Sequence, residues 1–381
     1  MVSTQPKKFR VLVVDDSAFM RKVLESIFSS DDQLQVIGQA KDGREAIALS
    51  ESLKPDVITM DLNMPHMDGL QATAQIMTSN PRPIVIVSSE SKEGAASTLK
   101  ALELGAIEFV TKPSSGIDLD MQSVKDELVR KVRMAAKVRV VRTASRLASA
   151  IQMPSSSNSS AVKPASPSPA PPVRTSNVAQ SELRFPVVVL GASTGGPATV
   201  MRLAPGFTRD FPAAVFLVQH MPAAFTTQYA LQLAEFTGIR VKEAEANESV
   251  QPGTLYICPG GQHLRVTPTG RINLDSVTGR IDGYLPNIDV TLESVAAYAG
   301  AMSIGVVLTG MGSDGARGAR AIKTAGGVVL AQDEATSVIF GMPAEAIKTG
   351  AVEQVLPLDD IYPAIEKRVL ALSRITPVGA R

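Results

Sequence analysis

Three carboxylates and one ammonium sit where the strands of this chain should end. Phe9 to Val14 reads as a short apolar strand, followed directly by Asp15-Asp16; Asp56 to Met60 reads as a second, closed by Asp61; Lys112-Pro113 follows a third apolar run, Ile107 to Val110. Short apolar runs of this kind fold as buried strands of a parallel sheet, and open α/β sheets gather their ligand groups at the carboxyl edge. Three carboxylates packed together repel unless a cation lies among them, and an all-oxygen site suits a hard divalent ion such as Mg2+. Asp61 is then a nucleophile for a phosphoryl group, with the metal and Lys112 offsetting charge on the transferred oxygens. A fourth strand, Ile84 to Val87, ends in Ser88-Ser89, within reach of a phosphoryl group on Asp61. Taken singly, each acid is an ordinary solvated side chain at a strand end; the joint placement argues otherwise.

The flanking residues agree. Ser17 offers a cap to the helix that starts at Ala18-Phe19-Met20-Arg21, and Asp61-Leu62-Asn63-Met64-Pro65 leads through Met67-Asp68-Gly69 into another helix. On these motifs residues 8–125 resemble the receiver domain of two-component response regulators. The resemblance implies a flavodoxin-like α/β fold with a doubly wound, parallel five-stranded sheet. It makes Asp61 the phosphoacceptor, with Ser88 and Lys112 as its phosphoryl-sensing partners. Asp15, Asp16, Asp61 and the backbone carbonyl of Asn63 become the Mg2+ ligands.

A chain of 381 residues has room for further domains. Residues 154–181 hold 15 Ser or Pro in 28 positions and no aromatic residue, a composition that reads as an extended linker. Before it, residues 118–151 read as helical, with Leu119, Val124, Leu128, Val132 and Ala135 as an apolar stripe. The remaining face is basic and reads as solvated. Residues 126–185 are thus expected to join the receiver to a second domain at 186–376. The single cysteine, Cys258, excludes an internal disulfide. No signal-peptide pattern and no apolar run of ~20 residues is present, so a soluble, cytoplasmic protein without membrane insertion is expected.

The second domain is again α/β. Strand-like runs at 186–190, 213–218, 255–258, 304–308 and 328–331 alternate with helical stretches at 223–235, 289–298 and 316–325. This implies a mostly parallel, doubly wound sheet. A small antiparallel hairpin is expected over 263–274, turning at Thr269-Gly270. Residues 186–381 carry 15 Lys/Arg against 17 Asp/Glu with no basic recognition helix, which argues against DNA.

Gly191-Ala-Ser-Thr-Gly-Gly-Pro197 ends the first of these strands and opens a helix. It is not G-x-G-x-x-G and lacks the lysine of a P-loop. The second strand ends in Gln219-His220, not in the acid that would bind a ribose. A nucleophile turn presenting Ser193 fits better, and it requires a base. Of three histidines, His66 lies in the receiver, His220 ends a neighbouring strand and is the best candidate, and His263 is second. Asp314, in Leu308-Thr-Gly-Met-Gly-Ser-Asp-Gly315, can orient the imidazole or simply cap a helix. Cys258 reads as an inert core thiol. Met342-Pro343 either touches substrate or starts a helix.

These segments, with Ser337-Val-Ile-Phe-Gly-Met-Pro343, resemble the catalytic domain of the chemotaxis protein-glutamate methylesterases, a family that also carries an N-terminal receiver. The resemblance implies Ser193 as nucleophile, His220 as base, Asp314 as orienting acid and the Met311 backbone amide in the oxyanion hole. It implies hydrolysis of glutamate γ-methyl esters on the cytoplasmic helices of chemoreceptors, with release of methanol, and deamidation of receptor glutamines. Ester hydrolysis needs no cofactor. A chemotaxis histidine kinase supplies the phosphoryl group, and the receiver gates the site. The protein is expected to be a monomer. The residues alone say only "serine acyl hydrolase under receiver control". A non-catalytic nucleotide-binding output domain and an adaptor stay open; a serine-directed phosphonate labels Ser193 only in a working triad.

Overall fold

The computed structural model describes residues 8–88, 91–112, 121–138 and 185–375. The Ser/Pro-rich segment, the basic stretch beyond residue 138, Ser89 and Pro113 lie outside them. The first unit alternates strand and helix: β1 (Phe9–Val14), α1 (Ala18–Ser29), β2 (Leu34–Ala40), α2 (Gly43–Leu53), β3 (Val57–Met60), α3 (Gly69–Ser79), β4 (Ile84–Ser88), α4 (Lys92–Glu103), β5 (Glu108–Thr111) and α5 (Met121–Ala135). Val11 to Val14 and Val57 to Met60 are buried along their whole length, as strands covered by helices on both faces must be. Ser17, Asp42 and Asp68 accept backbone N–H bonds at the starts of α1, α2 and α3. The five strands run parallel in the order β2-β1-β3-β4-β5. The winding reverses at β1, so a crevice opens at its carboxyl end, beside that of β3.

The second unit comprises β6 (Val187–Ala192), α6 (Gly196–Leu203), β7 (Ala214–Gln219), α7 (Ala223–Glu235), β8 (Arg240–Glu243), β9 (Thr254–Ile257), β10 (His263–Val266), β11 (Ile272–Asp275), α8 (Ile288–Ala299), β12 (Ser303–Val307), α9 (Ala316–Thr324), β13 (Val328–Gln332), α10 (Met342–Lys348), β14 (Gln354–Leu356) and α11 (Leu358–Ile375). Its main sheet has seven parallel strands in the order β14-β13-β12-β6-β7-β9-β8. β10 and β11 form the antiparallel hairpin, and Gly270, with φ 73°, makes its turn in a conformation that a side chain would oppose. β6 is central: β7 flanks it on one side and β12 on the other. The three strand ends therefore lie side by side at the switch point.

One expectation needs correction. The basic face of α5 is not simply solvated. Leu128, Val132 and Ala135 of the apolar stripe are buried in the receiver core as expected, but on the basic face Lys131 is largely enclosed, paired with Glu127 at 3.0 Å and Glu108 at 3.5 Å above the Phe109 ring. Arg133 reaches Asp31 at 3.3 Å. Residue 125, the expected end of the receiver, lies inside this helix. Carboxylates on neighbouring elements thus draw Lys131 and Arg133 out of an otherwise exposed charged face.

The two units touch. The rings of Phe109 and Phe225 lie 4.5 Å apart, and both side chains are buried. The Gln232 amide donates to Glu103 at 3.3 Å, and Arg130 Nη1 lies 3.7 Å from Met311 Sδ.

Candidate functional site

At the carboxyl edge of the receiver sheet, Lys112 Nζ lies 2.9 Å from Asp15 Oδ2 and 2.8 Å from Asp61 Oδ2. Asp15 and Asp61 are buried; Asp16 is exposed. Carboxylate oxygens of all three acids lie within 4.8 Å of one another. Burial pushes the Asp61 carboxyl above its usual range; the Lys112 ammonium opposes that shift and Asp15 adds to it. Burial disfavours the Lys112 charge, but its bonds to Asp61 and Asp15 outweigh this and hold the ammonium above its usual value. The donor set is all oxygen and carries excess negative charge, which fits a hard divalent cation. Ser88, at the end of β4, is buried, and its hydroxyl donates to Gly94 O at 3.4 Å. Asn63 N–H donates to Asp61 Oδ1 at 3.4 Å.

In the second unit Ser193 follows β6 directly. Its N–H donates to Thr309 O at 3.0 Å, and its carbonyl accepts from Gly196 N at 2.8 Å and from the Gln219 side-chain amide at 2.9 Å. The turn is thus pinned from both flanking strands. Gly195 takes φ 76° against Val338, and a Cβ on Gly310 would stand 2.7 Å from Ser193 Cβ. Both positions exclude larger residues so that the backbone can close around the serine.

His220, after β7, brings Nδ1 to 3.0 Å from Ser193 Oγ, and its Nε2 lies 2.7 Å from Asp314 Oδ2. A carboxylate can only accept, so the proton belongs on Nε2 and the Nδ1 lone pair faces the serine hydroxyl. Tyr284 stacks on the imidazole at 4.3 Å between ring centroids and 14° between planes. Asp314 is almost fully buried. Of its two readings, orienting acid or helix cap, the cap does not form: the N-cap of α9 is Gly315, with no side-chain cap. Instead its carboxylate accepts from Ile288 N at 2.8 Å and Asp289 N at 2.9 Å, at the start of α8. Among the described residues the backbone N–H groups of Thr194 and Met311 have no partner.

The other candidates lie elsewhere. His263 is fully buried in β10 and pairs through Nε2 with Gly279 O at 2.7 Å, so it does not serve Ser193. Cys258 is fully buried, and burial pushes its thiol well above the usual range. Met342 is buried against Gly310, and Pro343 stands in the first turn of α10. Sequence reasoning missed Tyr284, Gln219 and the Thr194 amide. Gln219 carries the motif at the end of β7 but no role of its own in the sequence, and Tyr284 sits in a loop without pattern.

Fold and site together define a class: a receiver-type unit with an acidic cation site, joined to an α/β unit carrying a Ser–His–Asp chain of hydrogen bonds. Family profiles agree. Residues 11–123 match the response regulator receiver domain and residues 188–365 match CheB methylesterase. A Pyrococcus horikoshii protein-glutamate methylesterase/protein-glutamine glutaminase is 42% identical over 95% of this chain and 94% of its own length. Its namesake from Symbiobacterium thermophilum is 41% identical over 95% and 98%. The Thermotoga maritima CheB methylesterase catalytic domain, a crystal structure, aligns with 49% of this chain and 99% of its own at 39% identity, TM-score 0.47. The chain belongs to the protein-glutamate methylesterase/protein-glutamine glutaminase family. Among the described residues no helix is long and apolar enough to cross a membrane.

Proposed function

We propose that the protein hydrolyses glutamate γ-methyl esters, and deamidates glutamines, on the cytoplasmic helices of chemoreceptors, under control of its receiver. The observation that carries this reading is the continuous chain Ser193 Oγ–His220–Asp314, with contacts of 3.0 and 2.7 Å, at the central switch point of the sheet. Ser193 Oγ attacks the side-chain carbonyl while Nδ1 of His220 takes its proton. Asp314 holds the tautomer and stabilises the imidazolium. The Met311 and Thr194 amides receive the oxyanion. His220 then returns the proton to the leaving oxygen, methanol departs, and water enters by the same route in reverse to release the glutamate. A glutamine passes through the same acyl-enzyme with ammonia as leaving group.

In the receiver, Asp61 is the phosphoacceptor for a histidine kinase and for small donors such as acetyl phosphate. Asp15, Asp16, Asp61 and the Asn63 carbonyl would hold Mg2+, which supplies charge neutralisation for the transferred oxygens when bound. Lys112 and Ser88 lie at the adjoining strand ends to meet the phosphoryl group. Control by covering is supported by Arg130, which reaches from α5 to the side chain of Met311, one of the proposed oxyanion donors. Methanol release from methylated receptor helices tests the reading: Ser193→Ala should abolish it, and near-normal turnover in that variant would sink the serine mechanism.

A further inference from the structure

Behind Asp314 lies a second buried carboxylate that the mechanism above does not use. Asp289, in the first turn of α8, is 5% exposed. Its Oδ1 accepts from Gly315 N at 2.9 Å and Gly318 N at 2.6 Å, at the start of α9. Asp314, immediately before α9, does the converse and accepts from Ile288 N and Asp289 N at the start of α8. The two acids thus form a reciprocal brace, each carboxylate fixed by the helix start next to the other. A buried acid that only capped a helix would be replaceable by a neutral acceptor without effect on the chemistry. Asp289 differs because its charge lies next to the group that stabilises the His220 imidazolium.

We infer that Asp289 is a positioning residue that acts through Asp314, holding its carboxylate in line with His220 Nε2 and setting, by its own protonation state, the strength of His220 as a base. This rests on the serine mechanism proposed above. The groups facing the pair are few. Arg317 of α9 brings Nε to 4.0 Å from Asp289 Oδ2, and is itself held by Glu293 of α8 and, at 3.3 Å, by Asp282 of the preceding loop. His220 lies beyond Asp314, Tyr284 stacks on His220, and Arg130 approaches Met311 from the receiver. Burial, with Asp314 adding to it, pushes the Asp289 carboxyl up to about 6, against the pull of the Gly318 and Gly315 amides and Arg317. Asp289 is therefore charged at neutral pH, where it strengthens the base, and becomes neutral as the pH falls through about 6. Two interacting protons should then shape the acid limb.

The test is the pH dependence of Ser193 labelling by an alkyl phosphonate in the full-length chain, a readout that needs no receptor substrate. The native chain should give a broad acid limb that one proton does not fit. Asp289→Asn keeps an acceptor for the α9 amides but removes the charge. It should give a single-proton limb displaced downward by about half a pH unit or more, with a lower plateau. Arg317→Gln, a half-exposed change that spares the core, removes the cation facing Asp289 and should move the native limb upward. It serves even where Asp289→Asn does not fold. Limbs of unchanged midpoint and shape in whichever of these variants folds overturn the inference. Absence of Ser193 labelling in the native chain overturns instead the serine mechanism on which it rests.

Discussion

Asp314→Asn is the substitution whose cost the structure defines best. The carboxylate has three donors: Ile288 N–H and His220 Nε2 at Oδ2, and Asp289 N–H at Oδ1. An asparagine offers one oxygen. With that oxygen in the Oδ2 place, its NH2 group confronts Asp289 N–H, and a buried donor is left unsatisfied at a cost of about 1–3 kcal/mol. With the oxygen in the Oδ1 place, the NH2 group confronts Ile288 N–H and His220. The imidazole must then accept at Nε2, so its proton moves to Nδ1 and the base toward Ser193 is lost. The first arrangement keeps the tautomer but loses the charge that stabilises the imidazolium. Either way the loss in kcat should be large, about a thousandfold to ten-thousandfold, as for a triad acid replaced by its amide. Relief of the repulsion with Asp289 offsets part of the stability cost, so the melting temperature should fall by only a few degrees, at roughly 2–4 °C per kcal/mol for a domain of this size. The assay is methanol release at saturating methylated receptor peptide, with thermal melting alongside. A kcat within tenfold of the native value, in a folded variant, would refute the role given to Asp314.

Gly310→Ala forces a methyl group to 2.7 Å from Ser193 Cβ and closer still to the Met342 sulfur, so it should lower kcat at least tenfold; unchanged turnover would show that the turn can give way. His220→Ala should remove turnover, whereas His263→Ala should alter stability alone, since its ring reaches only Gly279 O; the reverse pattern in kcat would reassign the base. Mg2+ should raise the melting temperature of the receiver and Asp15→Asn should weaken this, a concentration of ~100 Kd adding about 2.7 kcal/mol; a cation-independent melt would argue against the site. A fragment starting near Arg184 should exceed the unphosphorylated full chain in activity and ignore phosphodonors. The difference should correspond to about 1–3 kcal/mol of coupling, and equal rates would make the receiver a recruiting device and not a cover.

What could be read in the sequence follows from how local each signal is. Strands β1, β3, β6 and β12 are continuous apolar runs because both faces are covered, and each ends in the polar group that the sheet edge presents. Fold class and the positions of Asp61, Lys112, Ser193 and His220 at strand ends were legible for that reason, whereas Asp314 lies in the loop beyond β12. Edge strands carry no such signal. Arg240 to Glu243 in β8 and the mostly exposed β14 show no continuous apolar run, since one side of each ladder is open. Groups that act through long-range pairing were equally silent. Asp289 looks like any acid in a first helical turn, and only the approach of α9 to α8 turns it into a brace. Arg130, Lys131 and Arg133 look like parts of a solvated basic face until Met311, Glu108 and Asp31 are brought to the same helix by the fold.

The central claim, that Ser193 attacks a glutamyl ester carbonyl, is tested most directly by rapid quenching and mass analysis during turnover of a methyl-esterified receptor peptide. The account predicts a transient adduct on the tryptic fragment containing Ser193, carrying the substrate acyl group without its methoxy group, absent in Ser193→Ala and accumulating no later than methanol. Methanol released at the native rate by Ser193→Ala, with no adduct at any time in the native enzyme, would contradict it.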